Sequence, residues 1–158
     1  MAYEIERKFL VKGEFKQFAL SSTYIVQGYI YFDKEKSVRI RIKGDKGYIT
    51  VKSSVGDSKV TRNEWEYEIP ASEANEMLRL CGENVLEKTR YIVNIKNLVV
   101  EVDEFYGENE GLLLAEIELT NESQQFEKPE FLGHEVTGQP RYYNAQLCVN
   151  PYSKWRDK

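Results

Sequence analysis

The segment Val38-Arg39-Ile40-Arg41-Ile42-Lys43-Gly44-Asp45-Lys46-Gly47-Tyr48-Ile49-Thr50-Val51-Lys52 decides the fold. Side chains alternate faces along a strand, so Arg39 and Arg41 share one face while Val38, Ile40 and Ile42 share the other. Gly44 to Gly47 reads as a tight turn, after which Thr50 and Lys52 lie opposite Ile49 and Val51. One face of this hairpin is aliphatic and the other carries full positive charges. An ordinary half-buried sheet sets its apolar face against a mixed polar one. A face of guanidinium and ammonium groups needs another explanation.

Working outward, the same period of two predicts strands over 2–11, 23–33, 37–43, 47–53, 60–70, 86–95, 98–105 and 113–120. Glu4, Glu6 and Lys8 share a face, as do Arg62, Glu64 and Glu66, Lys88 and Arg90, Glu101 and Asp103, and Glu116 and Glu118. Solvation is the ordinary fate of such charges. Against it, this face holds few Ser, Gln or Asn, and the charges segregate by strand, basic on the third, fourth and sixth and acidic on the seventh and eighth. Short joins make the neighbours antiparallel. Eight antiparallel strands can close into a barrel, with the apolar face turned out under a few helices and the charged face lining the lumen. The expected fold is therefore mostly β, a closed eight-stranded antiparallel barrel or tunnel.

Helices are predicted over 72–81, with Ala74, Met77, Leu78 and Cys81 in one stripe between Ser72 as N-cap and Gly82 as stop, and over 121–127 and 142–148. Residues 13–19 suit a short helical turn. The organisation expected is one domain, 1–158, with barrel strands within about 2–120 and a helical or irregular segment from about 121.

Composition narrows the chemistry. The chain has 158 residues, 22 Lys plus Arg, 26 Asp plus Glu and a net charge of -4, which argues against a protein that coats nucleic acid. A single His and two Cys leave no zinc cluster or disulfide framework. With no apolar run of membrane-spanning length and no signal-like start, the expected address is cytoplasmic, with no membrane partner. Buried charges need partners, so the lumen should be wet and hold a charged ligand. Lys8, Arg39, Arg41, Lys52, Arg62, Lys88 and Arg90 suit a polyanion. Glu4, Glu6, Glu64, Glu66, Glu101, Asp103, Glu116 and Glu118 suit a hard divalent cation, Mg²⁺ or Mn²⁺.

These residues resemble a known family. Glu4-Ile5-Glu6-Arg7-Lys8 is similar to the ExExK signature of the CYTH superfamily, the triphosphate tunnel metalloenzymes. Gln27-Gly28-Tyr29, Val38-Arg39-Ile40-Arg41, Thr50-Val51-Lys52, Arg62 to Glu66, Lys88 to Tyr91, Glu101-Val102-Asp103, Ala115 to Glu118 and Leu132 to Thr137 follow in the family's order. The resemblance implies a tunnel that holds a triphosphate. Glu4, Glu6, Glu116 and Glu118 would hold metal, with Asp103 and Glu64 near. Arg39, Arg41, Lys52, Arg62, Lys88 and Arg90 would clasp phosphates, and Lys8 and Tyr29 would handle the leaving group.

The short bacterial-type members look most similar, and they imply hydrolysis of inorganic tripolyphosphate to pyrophosphate and phosphate, with nucleoside triphosphates as further substrates. Alternatives are a class IV-type adenylate cyclase, against which the missing upstream His-Phe pair counts; a thiamine triphosphatase, for whose aromatic site Trp65 and Trp155 could be mistaken; and a binding module without turnover. The assembly is read as a monomer or homodimer. His134 reads as a surface residue, Cys81 and Cys148 as packing, Trp65 as outward-facing core, Trp155 as part of a tail, and Tyr142-Tyr143 as packing near a tunnel mouth. Lys154, Arg156 and Lys158 form a basic tail too short to imply a nucleic-acid partner.

Overall fold

A computed structural model describes residues 2–156, so Lys158 of the basic tail lies outside the described residues. The strands are β1 (Ala2–Val11), β2 (Ala19–Phe32), β3 (Lys36–Lys43), β4 (Lys46–Ser54), β5 (Thr61–Ile69), β6 (Val85–Ile95), β7 (Leu98–Phe105), β8 (Leu113–Glu118) and β9 (Leu132–Glu135). The helices are α1 (Ala71–Leu78) and α2 (Asn144–Val149), with 3₁₀ turns between strands, after α1 and on either side of α2. Among the described residues, no helix is long and apolar enough to cross a membrane.

All pairings are antiparallel, in the order β5-β4-β3-β2-β6-β7-β8-β1, and β5 pairs back onto β1 to close an eight-stranded barrel. β1 spans the seam. Its first half pairs with β5 at Ala2↔Glu64 through Ile5↔Thr61, and its second half pairs with β9 at Phe9↔Glu135 and Val11↔Leu132. The ninth strand, which the period of two does not predict, thus fills the wall where β5 runs out.

The outward faces pack in two places. α1 sits on β3 and β4 through Ala74, Met77 and Leu78 against Ile40, Ile42, Ile49 and Ile69. Gly28 makes room for it, because a Cβ there would stand 2.8 Å from Cys81 Sγ and 3.1 Å from Leu78. On the opposite wall Val93, Val100, Val102, Ala115 and Ile117 pack under Phe15, Phe131 and Leu132. A third cluster lies inside. Leu10, Leu114, Phe105 and Leu86 share strand faces with Lys8, Glu116, Asp103 and Lys88, and they pack against Leu147, Trp155, Tyr142 and Tyr152. The C-terminal segment therefore stoppers one end of the barrel.

Three expectations change. Residues 121–127 form no helix: Asn121 Oδ1 accepts from Ser123 N at 3.0 Å, a local turn that competes with helix, and Pro129 follows. The helix predicted over 72–81 runs as α1 plus a 3₁₀ turn over Arg79–Cys81, with Pro70 rather than Ser72 as N-cap; Gly82 ends it at φ 58°. Trp155 is no tail residue. It is 7 % exposed, stacks edge-on against Tyr142 and Tyr152, and donates Nε1–H to Asn150 O.

Candidate active site

Register brings the charged rows together. Glu6 faces Glu118 and Lys8 faces Glu116 across β1–β8, Glu101 faces Glu116 across β7–β8, and Arg90 faces Asp103 across β6–β7. On the far wall Tyr29 faces Arg39, Arg39 faces Thr50, and Lys52 faces Glu64. Lys8, Arg39, Arg41, Lys52, Lys88, Arg90, Asp103 and Glu116 are all buried, while Glu118 is exposed at the end of its strand.

Ion pairs hold this interior. Glu4 bridges Lys52 Nζ at 2.8 Å and Arg62 at 3.0 Å. Burial pushes the Glu4 carboxyl up, yet Lys52 and Arg62 more than reverse it and hold it at about 2. Glu6 goes the other way. Burial, then the charges of Glu116 and Glu4, raise it well above the carboxylate range, and it hydrogen-bonds Glu116. Burial also disfavours charge on Glu116, but that hydrogen bond, with Lys8 and Arg90 nearby, keeps Glu116 well below its ordinary value. Glu64 lies 3.7 Å from Lys52, and burial raises it.

Asp103, expected near the metals, is contacted here by two cations. Arg90 donates to both of its oxygens, at 2.8 and 2.9 Å, and Lys88 Nζ stands 2.9 Å from it. Against the cost of burial, Arg90 and Lys88 lower its pKa. Lys88 itself is driven down to about 7 by burial, with Asp103 opposing. Arg41 is held at about 10 by burial and by Arg39 and Arg90.

Among the described residues three buried polar atoms lack hydrogen-bond partners: Arg39 Nε, Arg41 Nε and Gln27 Oε1. Two guanidinium donors without partners in a buried lumen suit anionic oxygens. Arg39 and Arg41 otherwise reach only Glu66, at 3.4 and 3.5 Å, with Arg39 also on Thr50 Oγ1. A separate surface cleft of about 370 Å³ beside the stoppered end is lined by Glu83, Glu87 and Glu108 with no Lys or Arg, so it repels a polyanion.

The site also recruits residues that sequence reasoning passed over. Lys8 Nζ donates to the Tyr142 carbonyl at 3.1 Å. Asn144 Oδ1 accepts from Lys88 Nζ at 2.8 Å and from Gln27 Nε2 at 3.2 Å. Gln27 could be found, since it stands at i-2 from Tyr29 on the lumen face. Nothing in the pattern signals Asn144, which reaches the lumen only because the chain returns to it.

The fit to a divalent ion follows from the donors. Glu4, Glu6 and Glu116 are hard oxygen ligands without a competing His or Cys beside them. Among the described residues, no group of three or more His, Cys, Asp or Glu is already gathered around one point. Glu4 is instead drawn to Lys52 and Arg62.

The family model for the CYTH domain matches residues 2–145. The chain belongs to the CYTH family. One relative, an inorganic triphosphatase of Acetivibrio thermocellus, is 50% identical over 158 residues, covering 99% of this chain and 100% of its own length. An inorganic triphosphatase of Nitrosomonas europaea is 32% identical over 151 residues, covering 93% and 97%. The solved crystal structure of an inorganic triphosphatase superposes with a TM-score of 0.65 at 31% identity, over 94% of this chain and 96% of that one. The solved structure of a conserved hypothetical protein from Pyrococcus furiosus, at 24% identity and a TM-score of 0.59, shares the fold.

Proposed function

We propose that this CYTH protein hydrolyses inorganic tripolyphosphate to pyrophosphate and phosphate. The observation that carries the reading is the pair of buried guanidiniums, Arg39 and Arg41, whose Nε–H groups have no partner while carboxylates crowd the neighbouring wall. An anion binder alone has no use for Glu4, Glu6 and Glu116, which repel its ligand. A triphosphatase does. Names carried by relatives over their whole length support the same substrate.

In this reading Arg39, Arg41, Lys52, Arg62 and Arg90 bind the phosphate oxygens, and Lys52 and Arg62 release Glu4 and Glu6 as they do so. Glu4, Glu6, Glu116 and Glu118 would hold a divalent cation, Mg²⁺ or Mn²⁺, whose chemistry there would be charge neutralisation and a lowered pKa for a water. Asp103 keeps Arg90 and Lys88 aimed into the lumen, and Glu64 balances Lys52. Lys8 offsets charge on the departing phosphate, and Tyr29 donates to it. No covalent nucleophile is required.

Phosphate release from tripolyphosphate, ATP and thiamine triphosphate, each with Mg²⁺ or Mn²⁺, tests this. The expected order has tripolyphosphate first. Release from none of them, with tight tripolyphosphate binding retained, supports a binding module instead; cyclic AMP from ATP supports a cyclase.

A further inference from the structure

We infer that Asn144 and Gln27 form a directional hydrogen-bond relay that fixes which way the Tyr29 hydroxyl points. The inference rests on the reading of Tyr29 as a donor to the leaving phosphate.

The direction follows from hydrogen-bonding capacity. The Asp103 carboxylate 2.9 Å away favours the charged Lys88 amine, which can only donate, and Asn144 accepts from it at 2.8 Å. The partner of the charged amine on Asn144 is therefore the carbonyl oxygen. That oxygen also lies 3.2 Å from the Gln27 amide, which must present its NH₂ group. The same Gln27 Nε2 lies 3.0 Å from Tyr29 Oη. An amide nitrogen donates, so Tyr29 Oη accepts, and its own hydrogen is left without an acceptor among the described residues. The chain reads Lys88 to Asn144, Gln27 to Asn144, Gln27 to Tyr29, and then outward from Tyr29 into the lumen.

The cost of the arrangement is visible. Gln27 is fully buried, and its Oε1 has no partner, a condition that ordinarily costs about 1–3 kcal/mol. Turning the amide over would offer Oε1 to the Tyr29 hydroxyl. It would also set Oε1 against Asn144 Oδ1, acceptor against acceptor. The Lys88–Asn144 contact forbids the turn, so the orphaned oxygen is the signature of a Tyr29 hydroxyl held free. Asn144 and Gln27 are positioning residues here. Asn144 opens α2, but its side chain makes no cap for that helix; it is spent on the lumen.

The test combines kinetics with a spectroscopic readout. Asn144→Leu removes the acceptor at nearly constant volume. Asn144→Asp keeps an acceptor oxygen in the same place. Gln27→Glu replaces the donor to Tyr29 by an acceptor that captures its hydrogen. With tripolyphosphate and Mg²⁺, Asn144→Leu is expected to lower kcat on the order of 10-fold with KM little changed, and Asn144→Asp to stay within about 3-fold of the parent, since it keeps the geometry. Gln27→Glu is expected to lose as much as Tyr29→Phe. In a Tyr29→Phe background, Asn144→Leu adds no further loss. In protein labelled at tyrosine Cζ, the Tyr29 resonance, assigned by its disappearance in Tyr29→Phe, shifts in Asn144→Leu and stays in Asn144→Asp.

A Tyr29 resonance unmoved by Asn144→Leu overturns the relay whatever the kinetics show. So do fully additive losses in the double variant. Full activity of Tyr29→Phe, by contrast, overturns the leaving-group role of Tyr29, and the resonance still decides whether the relay exists.

Discussion

Asp103 shows how far a single residue can be read from sequence. Glu101-Val102-Asp103 announces two carboxylates on one face, and alternation places them in the lumen. Whether such a carboxylate grips a metal or a cation depends on what stands opposite, which is a matter of register between β6 and β7. Arg90 stands opposite Asp103, and it takes both carboxylate oxygens. Removing one partner of a buried pair leaves the others uncompensated, at a cost of about 3–5 kcal/mol. Asp103→Asn is therefore expected to destabilise the protein by that order in urea unfolding. Glu4→Ala, which unpairs Lys52 and Arg62 in the same lumen, is expected to abolish metal-dependent turnover in a protein that still folds. A small effect of Asp103→Asn on stability contradicts the assignment of Asp103 as the internal counter-ion. Gln27 shares the lumen face with Tyr29 and so lies within reach of pattern, whereas Asn144 does not, because an uncharged amide on a distant segment leaves no mark on a charge map.

Among the elements, long alternating strands were legible and short irregular ones were not. Strands β1 to β8 follow the period of two, although β2 starts at Ala19 rather than 23 and β8 ends at Glu118 rather than 120. β9 has only four residues, Leu132–Glu135, and exists because β5 leaves an edge of β1 open. Its anchor is Glu135, which Arg7 grips through Nε and Nη2 and to which Thr137 Oγ1 donates. The Arg7 hydrogen bonds hold the Glu135 carboxyl below its ordinary value. A depressed carboxyl contributes stability above its unfolded pKa and loses it as pH falls through the folded one. The seam should thus weaken below about pH 4.5, and Glu135→Gln should flatten that part of the pH–stability curve. The pair is about a third exposed, so the effect is well under ~1 kcal/mol. α2 carries more weight. Leu147 is fully buried in the stopper, and Leu147→Ala is expected to cost about 2–5 kcal/mol, read as a lowered urea midpoint with an unchanged slope.

For the molecule as a whole, a net charge of -4 conceals a separation made by folding. Basic and acidic rows meet inside a barrel whose far end is sealed by Leu147 and Trp155. The barrel, its antiparallel closure and its charged lumen could be read from alternation, because each strand states its own two faces. The stopper could not, since it depends on a distant segment returning to the barrel. Opposed charges packed this closely are satisfied only by one another until an anion arrives. Tripolyphosphate without metal should therefore stabilise the protein, by about 2.7 kcal/mol at a hundred times its Kd, and Arg39→Ala should reduce that gain. The most direct measurement is phosphate and pyrophosphate release from tripolyphosphate, with Mg²⁺ and then with excess chelator, for the parent, Arg39→Ala and Glu116→Ala. The account predicts equimolar products from the parent with Mg²⁺, none with chelator, a raised KM and slowed turnover for Arg39→Ala, and no turnover for Glu116→Ala in a folded protein. Parental rates from Glu116→Ala at saturating Mg²⁺, or release that persists in chelator, would contradict it.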